Sequence, residues 1–125
     1  MAGAAPWIAV VDDDPSVLKA LTRLLRIRSF GARTYNSALE FLASLSGEAP
    51  DCLIVDLQMP GMSGLELHQY LTGRGIDIPT IIITAHDERD ARQRCEAAGT
   101  AGYLLKPIED TALLEAIAKA RRSDD

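Results

Sequence analysis

Five short apolar runs alternate with five helical patterns, and that alternation constrains this chain more than any other feature. The runs are Trp7-Ile8-Ala9-Val10-Val11, Ala32 to Tyr35, Cys52-Leu53-Ile54-Val55, Thr80-Ile81-Ile82-Ile83-Thr84 and Gly102-Tyr103-Leu104-Leu105. The fourth follows Pro79 and is almost wholly β-branched, which suits a pleated strand. Runs of this length bounded by turn residues fit strands buried on both faces. Parallel neighbours can be joined only by a crossover, so strands alternating with helices predict a parallel sheet covered by helices on both sides. A chain of 125 residues is one such domain, long enough for a real core.

The helical segments carry their own punctuation. Asp14 can cap the first helix, with Pro15 at its first position. Val17, Leu18, Leu21, Leu24 and Leu25 give it one buried face, and Gly31 is expected to mark its exit. Ser37-Ala38-Leu39-Glu40 has the capping-box spacing and opens the second helix, which Gly47 and Pro50 close. A third spans Gly64 to Leu71, and Gly73 and Gly75 follow. The fourth, about Glu88 to Ala98, has only Ala91, Cys95 and Ala98 as an apolar stripe. It should bury little and be loosely held. Leu113, Leu114, Ile117 and Ala120 mark the fifth, which finishes in Arg121 and Arg122, where positive charge suits the helix dipole.

The apolar runs hand over to polar residues at their carboxyl ends. The first gives way to Asp12 and Asp13, the third to Asp56, the fourth to Thr84 and the fifth to Lys106. In a parallel sheet these ends share one edge, the edge where ligands gather in open α/β sheets. Three carboxylates in one pocket repel unless a cation joins them. Oxygen ligands without His or Cys suit a hard cation, Mg²⁺ above all, with Mn²⁺ as a substitute. Lys106 offers a point charge for an anion and Thr84 a hydroxyl donor. A cation, an anion site and a nucleophilic carboxylate together describe phosphoryl transfer to an aspartate.

Each residue has a plainer alternative. Asp14 is best read as a helix cap, Asp12 and Asp13 singly suit turns, and an isolated lysine is usually solvated. His86 sits in a loop and would ordinarily face solvent, and Tyr103 is either a half-buried sheet aromatic or a functional residue. Trp7 lies about 16 Å from Asp12 at ~3.3 Å per residue and is assigned to packing. Four separate strand ends carrying the needed chemistry outweigh the plain readings of the site residues. Composition narrows the rest. A net charge of −5 works against gripping phosphate backbones, so direct nucleic-acid contact is not expected. Cys52 and Cys95 fall in apolar patterns without metal spacing, as small buried hydrophobes in a reducing compartment. No run is long enough to span a membrane, and the first residues lack a signal-peptide pattern, which points to the cytoplasm.

The motifs Val10-Val11-Asp12-Asp13-Asp14, Val55-Asp56-Leu57-Gln58-Met59-Pro60-Gly61-Met62-Ser63-Gly64, Ile83-Thr84-Ala85 and Ala101-Gly102-Tyr103-Leu104-Leu105-Lys106-Pro107 together carry a specific likeness. The chain resembles the receiver domain of bacterial two-component response regulators over about residues 7–122, most closely those preceding a helix-turn-helix transcription domain. Residues 1–6 are then an N-terminal tail and 123–125 a C-terminal tail or truncated linker. The resemblance implies a doubly wound, flavodoxin-like (βα)5 fold with strand order 2-1-3-4-5. It implies that Asp56 accepts a phosphoryl group from a phosphohistidine of a sensor histidine kinase. Asp13, Asp56 and the Gln58 backbone carbonyl would coordinate Mg²⁺, with Asp12 orienting its water. Thr84 and Lys106 would hold phosphoryl oxygens, and Thr84 and Tyr103 would move together as the switch. Gln58 and His86 would tune dephosphorylation, and the Lys106–Pro107 bond would be cis. The helix 4–strand 5–helix 5 face would form a phosphorylation-enhanced homodimer. Such a chain is no enzyme in the strict sense but catalyses its own phosphorylation and dephosphorylation.

Three other classes remain as comparisons. An aspartyl-phosphate phosphohydrolase would carry a second aspartate where Gln58 stands. A phosphorylation-independent interaction module would lack one of the acidic, Thr or Lys residues. A flavin-binding version would have a Ser/Thr/Gly-rich loop after the first strand. No output domain is legible, so the chain either acts alone through protein contacts or is a piece of a longer transcription factor whose missing part binds DNA.

Overall fold

The computed structural model describes residues 6–122; residues 1–5 and 123–125, which include most of the expected tails, lie outside the described residues. Five strands alternate with five helices: β1 Trp7–Val11, α1 Pro15–Ile27, β2 Gly31–Tyr35, α2 Ala38–Ser44, β3 Cys52–Asp56, α3 Gly64–Gly73, β4 Thr80–Thr84, α4 Arg89–Ala97, β5 Gly102–Leu105 and α5 Asp110–Arg122. All strand pairs are parallel and the order is β2-β1-β3-β4-β5. This is the doubly wound, flavodoxin-like α/β fold.

Alternation along each strand builds two cores. Ala9, Val11, Leu53, Val55 and Ile82 point to one face, where Phe41 of α2, Leu67 and Leu71 of α3, and Ala91 and Cys95 of α4 cover them. Ile8, Val10, Cys52, Ile54, Ile81 and Ile83 point to the other, against α1 and α5. The central strands β3 and β4 are buried at every position, whereas the edges β2 and β5 are half-buried or exposed. Both cysteines are buried and unpaired, and burial pushes the Cys52 thiol up to about 12.

Three local details differ from the sequence expectation. Helix α1 ends without Gly31: Ser29 takes the left-handed turn at φ 69°, and Gly31 already belongs to β2. A glycine there serves packing instead, since a Cβ would stand 3.1 Å from the Trp7 Cβ. At α2, Ser37 Oγ accepts from the Glu40 amide, but Glu40 Oε1 accepts from Asn36, one residue before the cap. The complete capping box opens α3, where Ser63 and Glu66 accept from each other's amides. Asp14 caps α1 as expected, accepting from the Ser16 amide.

Candidate functional site

The strand order reverses between β1 and β3, and Val11 lies level with Val55 in that pair. Asp12, the next residue, therefore stands beside Asp56 at the end of β3. One carboxylate oxygen from each of Asp12, Asp13 and Asp56 lies within 4.8 Å of the others. Asp12 is fully buried and Asp56 nearly so, while Asp13 is open to solvent. On the far side, Thr84 pairs with Leu105, and the Lys106 amide donates to the Thr84 carbonyl. That places Lys106 at the same edge, and its Nζ lies 2.9 Å from Asp12 Oδ2 and 3.4 Å from Asp56 Oδ1. The Lys106–Pro107 peptide bond is cis.

The electrostatics follow from burial and crowding. Desolvation pushes the Asp56 carboxyl above its ordinary value, and the Asp12 charge adds to this, with Lys106 opposing both. Burial works against the Lys106 ammonium, but the Asp12 and Asp56 carboxylates outweigh it and hold its pKa above the lysine norm. Asp12 Oδ1 accepts from the Asp14 amide at 2.9 Å. Asp12 Oδ2 is buried with the Lys106 ammonium 2.9 Å away as its charge partner. Three carboxylates with one oxygen each in so small a space, faced by a single ammonium, fit a hard divalent cation.

The loop after Asp56 is fixed by its glycines. Gly61 has φ +81°, a conformation other residues rarely adopt. A Cβ on Gly64 would fall 2.5 Å from the Asp56 carbonyl oxygen, so only glycine lets α3 start against that backbone. Gln58 is exposed on this loop and His86 on the next, so neither belongs to the buried part of the cluster. Thr84 is buried, and its hydroxyl is engaged by the main chain of His86: the His86 amide donates to Oγ1 at 3.1 Å, and Oγ1 donates to the His86 carbonyl at 3.2 Å. Tyr103, one strand over, is half-buried. Its hydroxyl is buried without a hydrogen bond, burial pushes its pKa up, and the Arg92 guanidinium lies 4.6 Å from the ring centroid.

Two residues of this region escape the sequence reading. Arg92 looks like a solvated helix charge, and nothing in its spacing marks the stacking on Tyr103. His68 does carry a signal: it falls on the stripe Gly64, Leu67, His68, Leu71, which has the spacing of a buried helix face. It is buried, with Nδ1 3.1 Å from Thr80 Oγ1 and Nε2 3.0 Å from the Ala98 carbonyl.

A doubly wound sheet with an acidic, cation-ready pocket and a lysine at its switch point defines a class of aspartate-centred phosphoryl-handling proteins. Comparison with known proteins narrows this. The model of the response regulator receiver domain matches residues 8–118, and the chain belongs to that family. It is 37% identical over 113 residues to the transcriptional regulatory protein FixJ of Rhizobium meliloti, covering 90% of this chain and 55% of that protein. The response regulator protein TodT of Pseudomonas putida is 36% identical over 120 residues, covering 96% and 53%. Among solved structures, FixJ-N superposes with a TM-score of 0.87 at 35% identity, covering 96% of both chains. The response regulator StyR gives 0.88 at 42%, covering 96% of this chain and 61% of that one. The chain thus spans about half the length of the curated relatives it matches. Among the described residues, no helix is long and apolar enough to cross a membrane.

Proposed function

We propose that this chain is a phosphorylation switch in which Asp56 accepts a phosphoryl group from a phosphohistidine of a sensor kinase. The observation that carries it is the Lys106 ammonium, placed 2.9 Å from Asp12 and 3.4 Å from Asp56 at the edge where β1, β3 and β5 end. Asp56 attacks phosphorus in line. A P–O bond forms, the P–N bond breaks, and its electron pair leaves on the imidazole nitrogen. Catalysis is mostly positioning and charge neutralisation. Asp12, Asp13, Asp56 and the Gln58 carbonyl would hold Mg²⁺, which when bound supplies positive charge against the transferred group. Lys106 already lies against the attacking carboxylate and moves to the phosphoryl oxygens as negative charge builds there. Thr84 leaves the His86 main chain to donate to another of those oxygens, so the β4–α4 loop rearranges with it. Tyr103 and Arg92 follow, because they pack on that side of the sheet. Gln58 and His86 are exposed on the loops after β3 and β4 and would tune the lifetime of the acyl phosphate.

The output surface is α4, β5 and α5, with self-association through a two-fold axis there. Arg94 and Asp90 pair within α4 at 3.9 Å and Arg92 with Asp87 at 3.6 Å, both exposed, so these charges can be re-paired between subunits at little cost. FixJ is a transcriptional regulatory protein of which this chain spans 55%, and control of transcription is the output that fits this switch.

Incubation with acetyl phosphate and Mg²⁺, followed by intact mass, tests this reading. The wild type should gain one phosphoryl group, Asp56→Asn none, and Lys106→Ala should retain metal binding while losing the active form. Full phosphorylation of Asp56→Asn at another residue overturns the assignment.

A further inference from the structure

We propose that His68 is a positioning residue of this switch: it pins the C-terminal end of α4 while the N-terminal end is left free to swing. This rests on the reading of Asp56 as the phosphoacceptor and says how the change there is shaped. His68 belongs to α3, the helix seated through Gly64 on the Asp56 carbonyl, so the pin and the phosphoacceptor share one rigid frame. A carbonyl oxygen can only accept, so the bond to Ala98 requires the hydrogen on Nε2. With that tautomer Nδ1 is an acceptor facing the Thr80 hydroxyl at 3.1 Å, at the first residue of β4, and the hydroxyl turns its one hydrogen either to Nδ1 or to the Ile78 carbonyl at 2.9 Å. One imidazole thus ties α3, β4 and the residue that caps α4.

The same end of α4 is held a second time, where Thr100 Oγ1 donates to the Cys95 carbonyl at 3.0 Å. The opposite end has no such support. Glu88 occupies the N-cap and makes no side-chain cap bond. The ion pairs there, Arg92 with Asp87 and Arg94 with Asp90, are solvent-exposed and contribute little. The hydrogen bonds to the Ala98 and Cys95 carbonyls are partly shielded from water and resist opening more than exposed ion pairs do. A displacement that enters through Thr84 and the His86 main chain therefore meets a soft first turn and a stiff last one, and α4 pivots about Ala98. Arg92 sits in the moving half and carries its contact with Tyr103 along.

Hydrogen exchange of α4, with and without beryllofluoride plus Mg²⁺ as the phosphoryl mimic, tests the pin. In the wild type, exchange should change over residues 86–92 and stay constant over 95–100. His68→Leu keeps the volume without the bonds. Its amides at 95–100 should exchange about ten-fold faster in both states, the equivalent of one hydrogen bond, and beryllofluoride should then perturb the whole helix. His68→Gln, whose amide can still donate to Ala98, should restore most of the protection. Ring ¹⁵N shifts of the wild type should show a protonated Nε2, a reading that stands even if His68→Leu does not fold. A hydrogen on Nδ1 alone overturns the pin, as does a uniform response along wild-type α4 or wild-type exchange at 95–100 in His68→Leu. Failure of the wild type to gain a phosphoryl group from acetyl phosphate overturns the Asp56 reading itself; loss of the end-to-end contrast with that gain intact overturns the pin alone.

Discussion

Helices α3 and α4 are close in length, lie on the same face of the sheet, and each follows a strand whose end carries a site residue, yet they are held in opposite ways. Helix α3 opens on a complete capping box and buries Leu65, Leu67, His68 and Leu71. Helix α4 opens on Glu88 without a cap bond and buries only Ala91 and Cys95. Most helix stability in proteins comes from the packed face rather than from propensity, so the two differ in stiffness by construction. The stiff helix holds the backbone of Asp56, the group that must be placed accurately. The soft helix borders Thr84 and Tyr103, the groups that move in the proposed switch. In the proposed switch, separating the two tasks onto neighbouring helices would let the pocket stay preorganised while the output surface changes.

The contrast can be broken from the stiff side first. Leu67→Ala removes a fully buried side chain from α3 and should lower stability by about 2–5 kcal/mol, whereas Cys95→Ala in α4 should cost roughly 1 kcal/mol or less. Urea unfolding of the two variants checks this, and equal losses would mean that α4 carries as much of the core as α3. At the helix starts the effects are smaller and of opposite sign. Ser63→Ala should cost about 1 kcal/mol, while Glu88→Ser, which supplies the missing cap, should gain roughly 0.5–1 kcal/mol. The second variant should also weaken the response of α4 to phosphorylation, because it stiffens the end that has to move.

A third test sharpens the comparison at the pocket itself. The folded state holds the Asp56 proton above the value at which the unfolded chain, at ~3.9, releases it. The folded state then binds more protons across that interval. Without metal, stability should fall as pH rises from the unfolded value through the folded one, and level off above it. Asp56→Asn should remove that contribution to the slope, and millimolar Mg²⁺ should offset it at neutral pH by binding only the folded state. Denaturant midpoints across pH, with chelator and with Mg²⁺, give the answer. A midpoint that rises with pH over the same interval would contradict the crowding of Asp12 and Asp56.

What the sequence determined was local. Short apolar runs and period-3.6 patterns named all ten elements, because the side chains along one element decide how much of it is buried. Asp12, Asp56, Thr84 and Lys106 were legible because each stands where an apolar run stops, and parallel strands bring such stops to one edge. The sparse stripe of α4 announced a weakly packed helix. The strand order was legible only through resemblance, since no local pattern says which strand neighbours which. Tertiary structure alone decided the rest. Lys106 reaches two aspartates that lie far from it in sequence, and Asp56 is pushed upward by a neighbour on another strand. Ser29 takes the turn expected of Gly31, and Gly31 pairs with Trp7 as the first residue of β2. His68 shows the division most clearly. Its place on the buried stripe of α3 is written in the spacing, but its partners Thr80 and Ala98 come from two other elements, and only chain-wide packing sets a contact between them.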